Sequence, residues 1–148
     1  MSGRIVVGVD GSDGARAALR WALDEARLRG ANVDVVHSWH APSLVVPGRF
    51  GGSAPVGEET LEAARRSAEH LLEHELQAAN TDGLQVEPLV PSASPVDALL
   101  DIARGADLLV VGTRGRGGFA GLLLGSVSQQ VSHHASCPVV IVPSSERE

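Results

Sequence analysis

Five short apolar runs punctuate the chain, at residues 5–9, 33–36, 86–90, 108–111 and 139–142. Most are β-branched and unbroken, with no polar alternation, which is how strands covered on both faces read. The segments between them carry a helical period. Ala15, Ala18, Leu19, Ala22 and Ala26 share one face, and Arg16, Arg20, Asp24 and Arg27 lie off it. Leu61, Ala64, Ala68, Leu71, Leu72, Leu76 and Ala79 line up in the same way. Val96, Leu99, Leu100 and Ala103 make a third stripe, and Val127, Val131 and Ala135 a shorter fourth. Strand and helix therefore alternate from end to end. That pattern implies a parallel sheet with right-handed crossovers and helices on both faces.

Proline suggests the strand order. Pro88 lies inside the third run and Pro138 opens the fifth. Proline is tolerated on edge strands and at strand starts, so both runs are expected at edges. The order 3-2-1-4-5 satisfies this and gives an open, Rossmann-like α/β sheet within one domain over residues 1–148. Strands 1 and 4 then lie side by side where the chain reverses direction, and such a switch point is where open α/β sheets bind ligands. The loops starting at Asp10 and at Gly112 should face that point. The connection over residues 41–56 holds three prolines and three glycines and is unusually long, so it reads as a lid or a mobile loop.

The sequence after the fourth strand carries the candidate chemistry. It runs Gly112, Thr113, Arg114, Gly115, Arg116, Gly117, Gly118, and on to Gly125, Ser126 and Val127. Glycines let backbone N–H groups approach an anion closely. Ser126 with Gln129 has the capping-box spacing, which marks the start of a helix whose free N–H groups suit phosphate. Arg114 and Arg116 add positive charge. Together these make a phosphate cradle; composition alone allows a surface loop with ordinary turn glycines equally well. A Walker A motif is absent. Gly115, Gly117 and Ala120 fit the loose G-x-G-x-x-A pattern, but no helix follows directly and no acidic residue is placed to hold a ribose, so NAD binding is rejected.

Composition narrows the alternatives. The 148 residues carry a formal charge of −6, and all 12 cationic residues are arginine. Nucleic-acid binding is not expected of such a chain, nor is any reaction that needs a lysine. One cysteine, Cys137, allows no internal disulfide; it reads as a core thiol at the start of a buried strand. No apolar stretch approaches the roughly 20 residues of a membrane span. The first run ends at Asp10, too short for a signal-peptide core, so a cytoplasmic protein with no membrane partner is expected. His70 and His74 have metal-ligand spacing on the second helix but face away from its apolar stripe, with no third ligand evident, and read as a solvated face. His133 and His134 read as dipole-facing residues at a helix end, and His37 as structural.

The chain resembles the universal stress protein family. The resemblance rests on residues 5–12, on Val36-His37, on residues 109–128 and on the closing stretch from Cys137 to Val142. Its most specific element is G-x2-G-x9-G-[S/T], met by Gly112, Gly115, Gly125 and Ser126. The resemblance implies an ATP-binding stress-response regulator, with Mg²⁺ balancing the phosphates. Gly112, Arg114 and Gly115 would border ribose and phosphates. Gly125, Ser126 and the Val127 N–H would hold the terminal phosphates. Asp10 would lie by the nucleoside, where it could bond ribose or hold a metal-bound water, with Gly8 and Val9 beneath it. The backbone at Ser38 would read the adenine edge. The resemblance also implies a homodimer paired through Val139, Val140, Ile141 and Val142. The chain departs from the family pattern at Ser38, where an apolar residue is common, and at residues 92–95, where a Gly-x-Pro turn is common.

No placed general base is visible in the sequence, so hydrolysis is expected to be slow or nil. The competing readings are an ATPase or autophosphorylating enzyme using Asp10 and Mg²⁺, with Ser126 or Ser128 as acceptor, and a nucleotide-free dimeric scaffold.

Overall fold

The structure is a computed structural model and describes residues 3–40, 44–45, 53–54, 57–113 and 124–144. The elements are β1 (Arg4–Gly8), α1 (Asp13–Arg29), β2 (Asn32–Val36), β3 (Leu44–Val45), β4 (Ser53–Ala54), α2 (Glu58–Ala78), β5 (Val86–Leu89), α3 (Pro95–Ile102), β6 (Leu108–Gly112), α4 (Ser126–His134) and β7 (Val139–Val142). Five of the strands form one parallel sheet in the order β5-β2-β1-β6-β7. Numbered without the short pair β3–β4, this is the expected 3-2-1-4-5. The pair β3–β4 corrects the reading of residues 41–56 as bare loop: Leu44 pairs with Ala54 and Val45 with Ser53, antiparallel. Strands of two residues leave no periodicity to read. The rest of that connection lies outside the described residues.

Side-chain alternation divides the core into two layers. Ile5, Val7, Val33, Val35, Leu108 and Val110 face α1 and Leu72 of α2. Val6, Val36, Leu109 and Val111 face Leu99 and Ala103 from α3 and its C-cap, and Val131 of α4. The central strands are buried on both faces, which explains their unbroken apolar runs. Pro88 is harmless for a geometric reason. Val33 N–H donates to Gln85 C=O and His37 N–H to Leu89 C=O, so the ladder uses alternate residues of β5. Position 88 then faces outward, where no N–H is needed.

Polar side chains hold the layers in register. At the N-terminal edge of the sheet, Arg4 bonds Asp34 Oδ2 at 2.8 Å, Ile102 C=O at 3.0 Å and Arg104 C=O at 2.7 Å. That accounts for the lone aspartate within the second apolar run. Glu75 of α2 is 4% exposed, and Arg16 of α1 donates to it from Nε at 3.0 Å and from Nη2 at 3.2 Å. This pair joins α1 to α2, and nothing in the helical period marks it.

Cys137 corrects one expectation. It is half-buried and packs against the second layer, and β7 after it is half-buried at all four positions, so the strand is not a buried one. Burial raises the Cys137 thiol above its ordinary value, with Asp107 adding to this and Arg4 opposing it. A raised value leaves less thiolate at a given pH. Alkylation by iodoacetamide at pH 8 is therefore expected to be several-fold slower in the folded protein than in urea. Equal rates, followed by mass spectrometry, would contradict the burial.

Candidate functional site

Three parallel strands, β2, β1 and β6, end together at one edge of the sheet, and a cleft of about 120 Å³ opens above them. Its walls are mostly apolar: Val9, Val36, Leu99, Val111 and Val127. A slot with this lining suits a flat, largely apolar group with a few polar atoms at its rim.

On one side the chain leaves β1 through Asp10 and Gly11. Gly11 has φ +83°, which a side chain would strain. The Ser12 N–H donates to Asp10 Oδ1 at 2.9 Å. Ser12 Oγ accepts from the Ala15 N–H at 3.2 Å, so Ser12 is the N-cap of α1 and Asp10 is left on the cleft wall.

On the other side α4 begins. Gly125 is its N-cap and no side chain caps it, so the expected Ser126–Gln129 capping box does not form. Glycine already occupies the cap, which puts Ser126 one residue inside the helix with its side chain exposed. A different serine does the anchoring. The Gly125 N–H donates to Thr113 C=O at 2.6 Å, and Ser128 Oγ lies 2.8 Å from the same carbonyl and 3.1 Å from Gly125 C=O. The end of β6 and the start of α4 are thus clasped together. The first helical bond of α4 runs from Gln129 N–H to Gly125 C=O. The Ser126, Val127 and Ser128 N–H groups lie ahead of it and are not used by the helix. Ser128 is 3% exposed and its hydroxyl is engaged, so it is poorly placed to accept a phosphoryl group.

The structure brings Gly8, Val9, Asp10, Ser38, Gly112 and Val127 to the cleft. Thr113, Gly125 and Ser126 stand at its clasped rim. Arg114, Gly115, Arg116, Gly117 and Gly118 lie outside the described residues. Gly112 carries a packing demand of its own: a Cβ there would sit 2.7 Å from the carbonyl oxygen of Gly14, in the first turn of α1. At Gly8 a Cβ would meet only the flexible end of Leu99, at 3.0 Å.

Pro95 and Leu99 of α3 also line the cleft and were not foreseen. Ser94-Pro95 signals a helix start just after a strand, and in a parallel sheet every such start lies at the same edge. The remaining histidines behave as surface residues. His70 and His74 are exposed, as are His133 and His134, whose rings stand 6.4 Å apart. Among the described residues no group of three metal-ligating side chains comes together.

The family model for the universal stress protein family matches residues 1–143. The chain belongs to that family. A universal stress protein of Mycolicibacterium smegmatis is 37% identical over 139 residues, covering 93% of this chain and 45% of the relative. This chain thus spans about half the length of such mycobacterial relatives. A universal stress protein of Thermus aquaticus is 38% identical, covering 93% of this chain and 96% of the relative. Solved universal stress proteins share the fold. One from Lactobacillus plantarum superposes with a TM-score of 0.74 at 24% identity, over 95% of this chain and 97% of that one. One in complex with cAMP gives 0.61 at 29% identity, over 97% and 98%. One from Archaeoglobus fulgidus in complex with dAMP gives 0.56 at 30% identity, over 95% and 97%.

The contact between Gly112 and Gly14 sets a measurable limit. Gly112→Ala should destabilise the fold by about 2–3 kcal/mol, since backbone must move to admit the methyl group. That corresponds to a fall in melting temperature of roughly 5–10 °C. Gly8→Ala, facing a flexible side chain, should cost less than about 1 kcal/mol. Calorimetric unfolding of the two variants checks the order.

Proposed function

We propose that this chain is a nucleotide-binding stress-response regulator, a single domain that takes ATP in the cleft above β1, β2 and β6 and works in the cytoplasm. One observation carries the reading: an apolar slot lies between strand-end backbone at Ser38 and the start of α4, whose first N–H groups have no partner within the helix. The complexes of similar family members with cAMP and dAMP support an adenine nucleotide as the ligand class. Gly112, Arg114 and Gly115 would border ribose and phosphates, with Thr113, Arg116, Gly117 and Gly118 completing the loop. Gly125, Ser126 and Val127 would take the terminal phosphates at a positive helix end.

Mg²⁺ fits the donor set. Asp10 is the one carboxylate lining the cleft among the described residues, and magnesium is commonly held by one or two carboxylates plus phosphate oxygens. The ion would screen phosphate charge near Asp10. His37 engages the Val9 carbonyl through Nδ1, which ties the ring to the end of β1. Binding without rapid turnover is the expected behaviour.

The test is to denature the purified protein, identify released nucleotide by chromatography and mass, and titrate the emptied protein with ATP and Mg²⁺ by calorimetry. ATP should be found or should bind. Asp10→Ala should weaken binding by about tenfold, the worth of one hydrogen bond to a charged group. A protein that carries no nucleotide and takes up none would overturn the reading and leave the scaffold in its place.

We propose further that β7 pairs with its copy in a homodimer through Val139, Val140, Ile141 and Val142. Leu109 N–H donates to Pro138 C=O and Thr113 N–H to Val142 C=O, so even-numbered positions of β7 face β6. Val139 and Ile141 turn their N–H groups to the open edge, which a second copy would cover. Ile141→Pro removes an outward donor and spares the inward ladder, so light scattering should read a monomer. A dimer that persists would exclude this edge.

A further inference from the structure

The ladder between β1 and β2 stops in an unusual way. In a parallel pair, alternate residues of a strand bond the same neighbour, each donating to the carbonyl one before its partner and accepting from the N–H one after it. Gly8 is paired with Val36, so the next pair is Val9 with His37. The first half of that pair forms: Val9 N–H donates to Val36 C=O at 2.9 Å. The second half should run from the Ser38 N–H to Val9 C=O. It does not form. The Val9 carbonyl is taken instead by the His37 ring, with Nδ1 at 3.0 Å. A carbonyl only accepts, so Nδ1 must carry the proton.

The other side of the same segment stays in register. His37 N–H donates to Leu89 C=O, Trp39 N–H to Pro91 C=O, and Ala93 N–H to Trp39 C=O. The Trp39 indole N–H adds a bond to Val90 C=O at 3.1 Å. The chain after β2 is therefore held to β5 while it parts from β1. Ser38 sits where the strands part, on the cleft wall, and no acceptor among the described residues takes its N–H.

We propose that His37 is a positioning residue: its imidazole replaces the last rung of the β1–β2 ladder, satisfies the Val9 carbonyl, and so leaves the Ser38 N–H for the ligand. The inference rests on the nucleotide-binding reading and deepens it. Without the imidazole, the Val9 carbonyl would be left unsatisfied at the edge of the core, and the available donor is the Ser38 N–H. The strands would zip one residue further and consume the group that meets the base.

Amide exchange and calorimetry on the full chain test this together. In the wild type, the Ser38 amide should exchange fast without ligand and slow down on addition of AMP. In His37→Ala it should already be slow without AMP, and AMP affinity should fall about tenfold or more. His37→Asn carries an amide N–H the same number of bonds from Cα as Nδ1. It should restore fast exchange and bring affinity within about threefold of wild type. His37→Gln, one bond longer, should not. Wild-type affinity in His37→Ala with unchanged Ser38 exchange overturns the proposal and leaves nucleotide binding standing. Should His37→Ala fail to fold, nitrogen spectra of the wild-type ring decide. A proton on Nδ1 supports the contact, and a proton on Nε2 alone overturns it. A wild type that binds none of AMP, cAMP or ATP overturns the nucleotide reading itself, a failure visible before any variant is made.

Discussion

The close approach of Gly14 to Gly112 is the contact on which the upper edge of the sheet depends. Two backbones meet there with no side chain between them: a Cβ on Gly112 would come within 2.8 Å of the Gly14 carbonyl carbon. The contact lays the first turn of α1 across the end of β6. It thereby fixes Ser12 and Asp10 on one rim of the cleft. Thr113, the next residue, is the carbonyl to which Gly125 and Ser128 fasten. One crossing thus positions two of the helix starts that open onto the cleft, those of α1 and α4. Any thicker residue at position 112 would move α1 and α4 together.

The helices cover the sheet unequally. α1 buries eight residues, whereas α2 buries three, and one of those three is Glu75. A buried carboxylate is costly unless it is well bonded. Arg16 answers it from α1 while keeping its own head partly in water, so the pair need not be a strong net stabiliser to matter. Its effect is to specify which turn of α2 lies against α1, where small apolar contacts alone would let the longer helix slide.

Much of this architecture was legible in the sequence, for a plain physical reason. Strands buried on both faces cannot alternate in polarity, so their runs stand out, and proline cannot sit in the middle of a ladder. Pro88 and Pro138 therefore carried strand order, which is ordinarily hard to read from one chain. What escaped was decided by geometry. Ser126 and Gln129 have the capping spacing, yet Gly125 took the cap, and Ser128 became the anchor through a carbonyl fifteen residues back in the chain. β3 and β4 are two residues each, too short to show a period. Glu75 looks like any solvated glutamate until α1 is packed against it. His37 reads correctly as structural, but its acceptor, Val9, lies 28 residues away on another strand.

These cases share a feature that bears on how the cleft works. Several donors at its rim are main-chain groups: the N–H of Ser38 and, at the start of α4, the N–H groups of Ser126, Val127 and Ser128. Main-chain donors are indifferent to side-chain identity but sensitive to the path of the chain. Side chains at the rim then act mainly by steering backbone. Ser12 caps, Ser128 clasps, His37 substitutes for a rung, and Gly112 makes room. Under the proposed function such a site would tolerate Ser38 where an apolar residue is common in the family, because the peptide group and not the side chain would meet the ligand. It follows that the fragile positions are the ones that set the backbone, even where they would never touch a ligand.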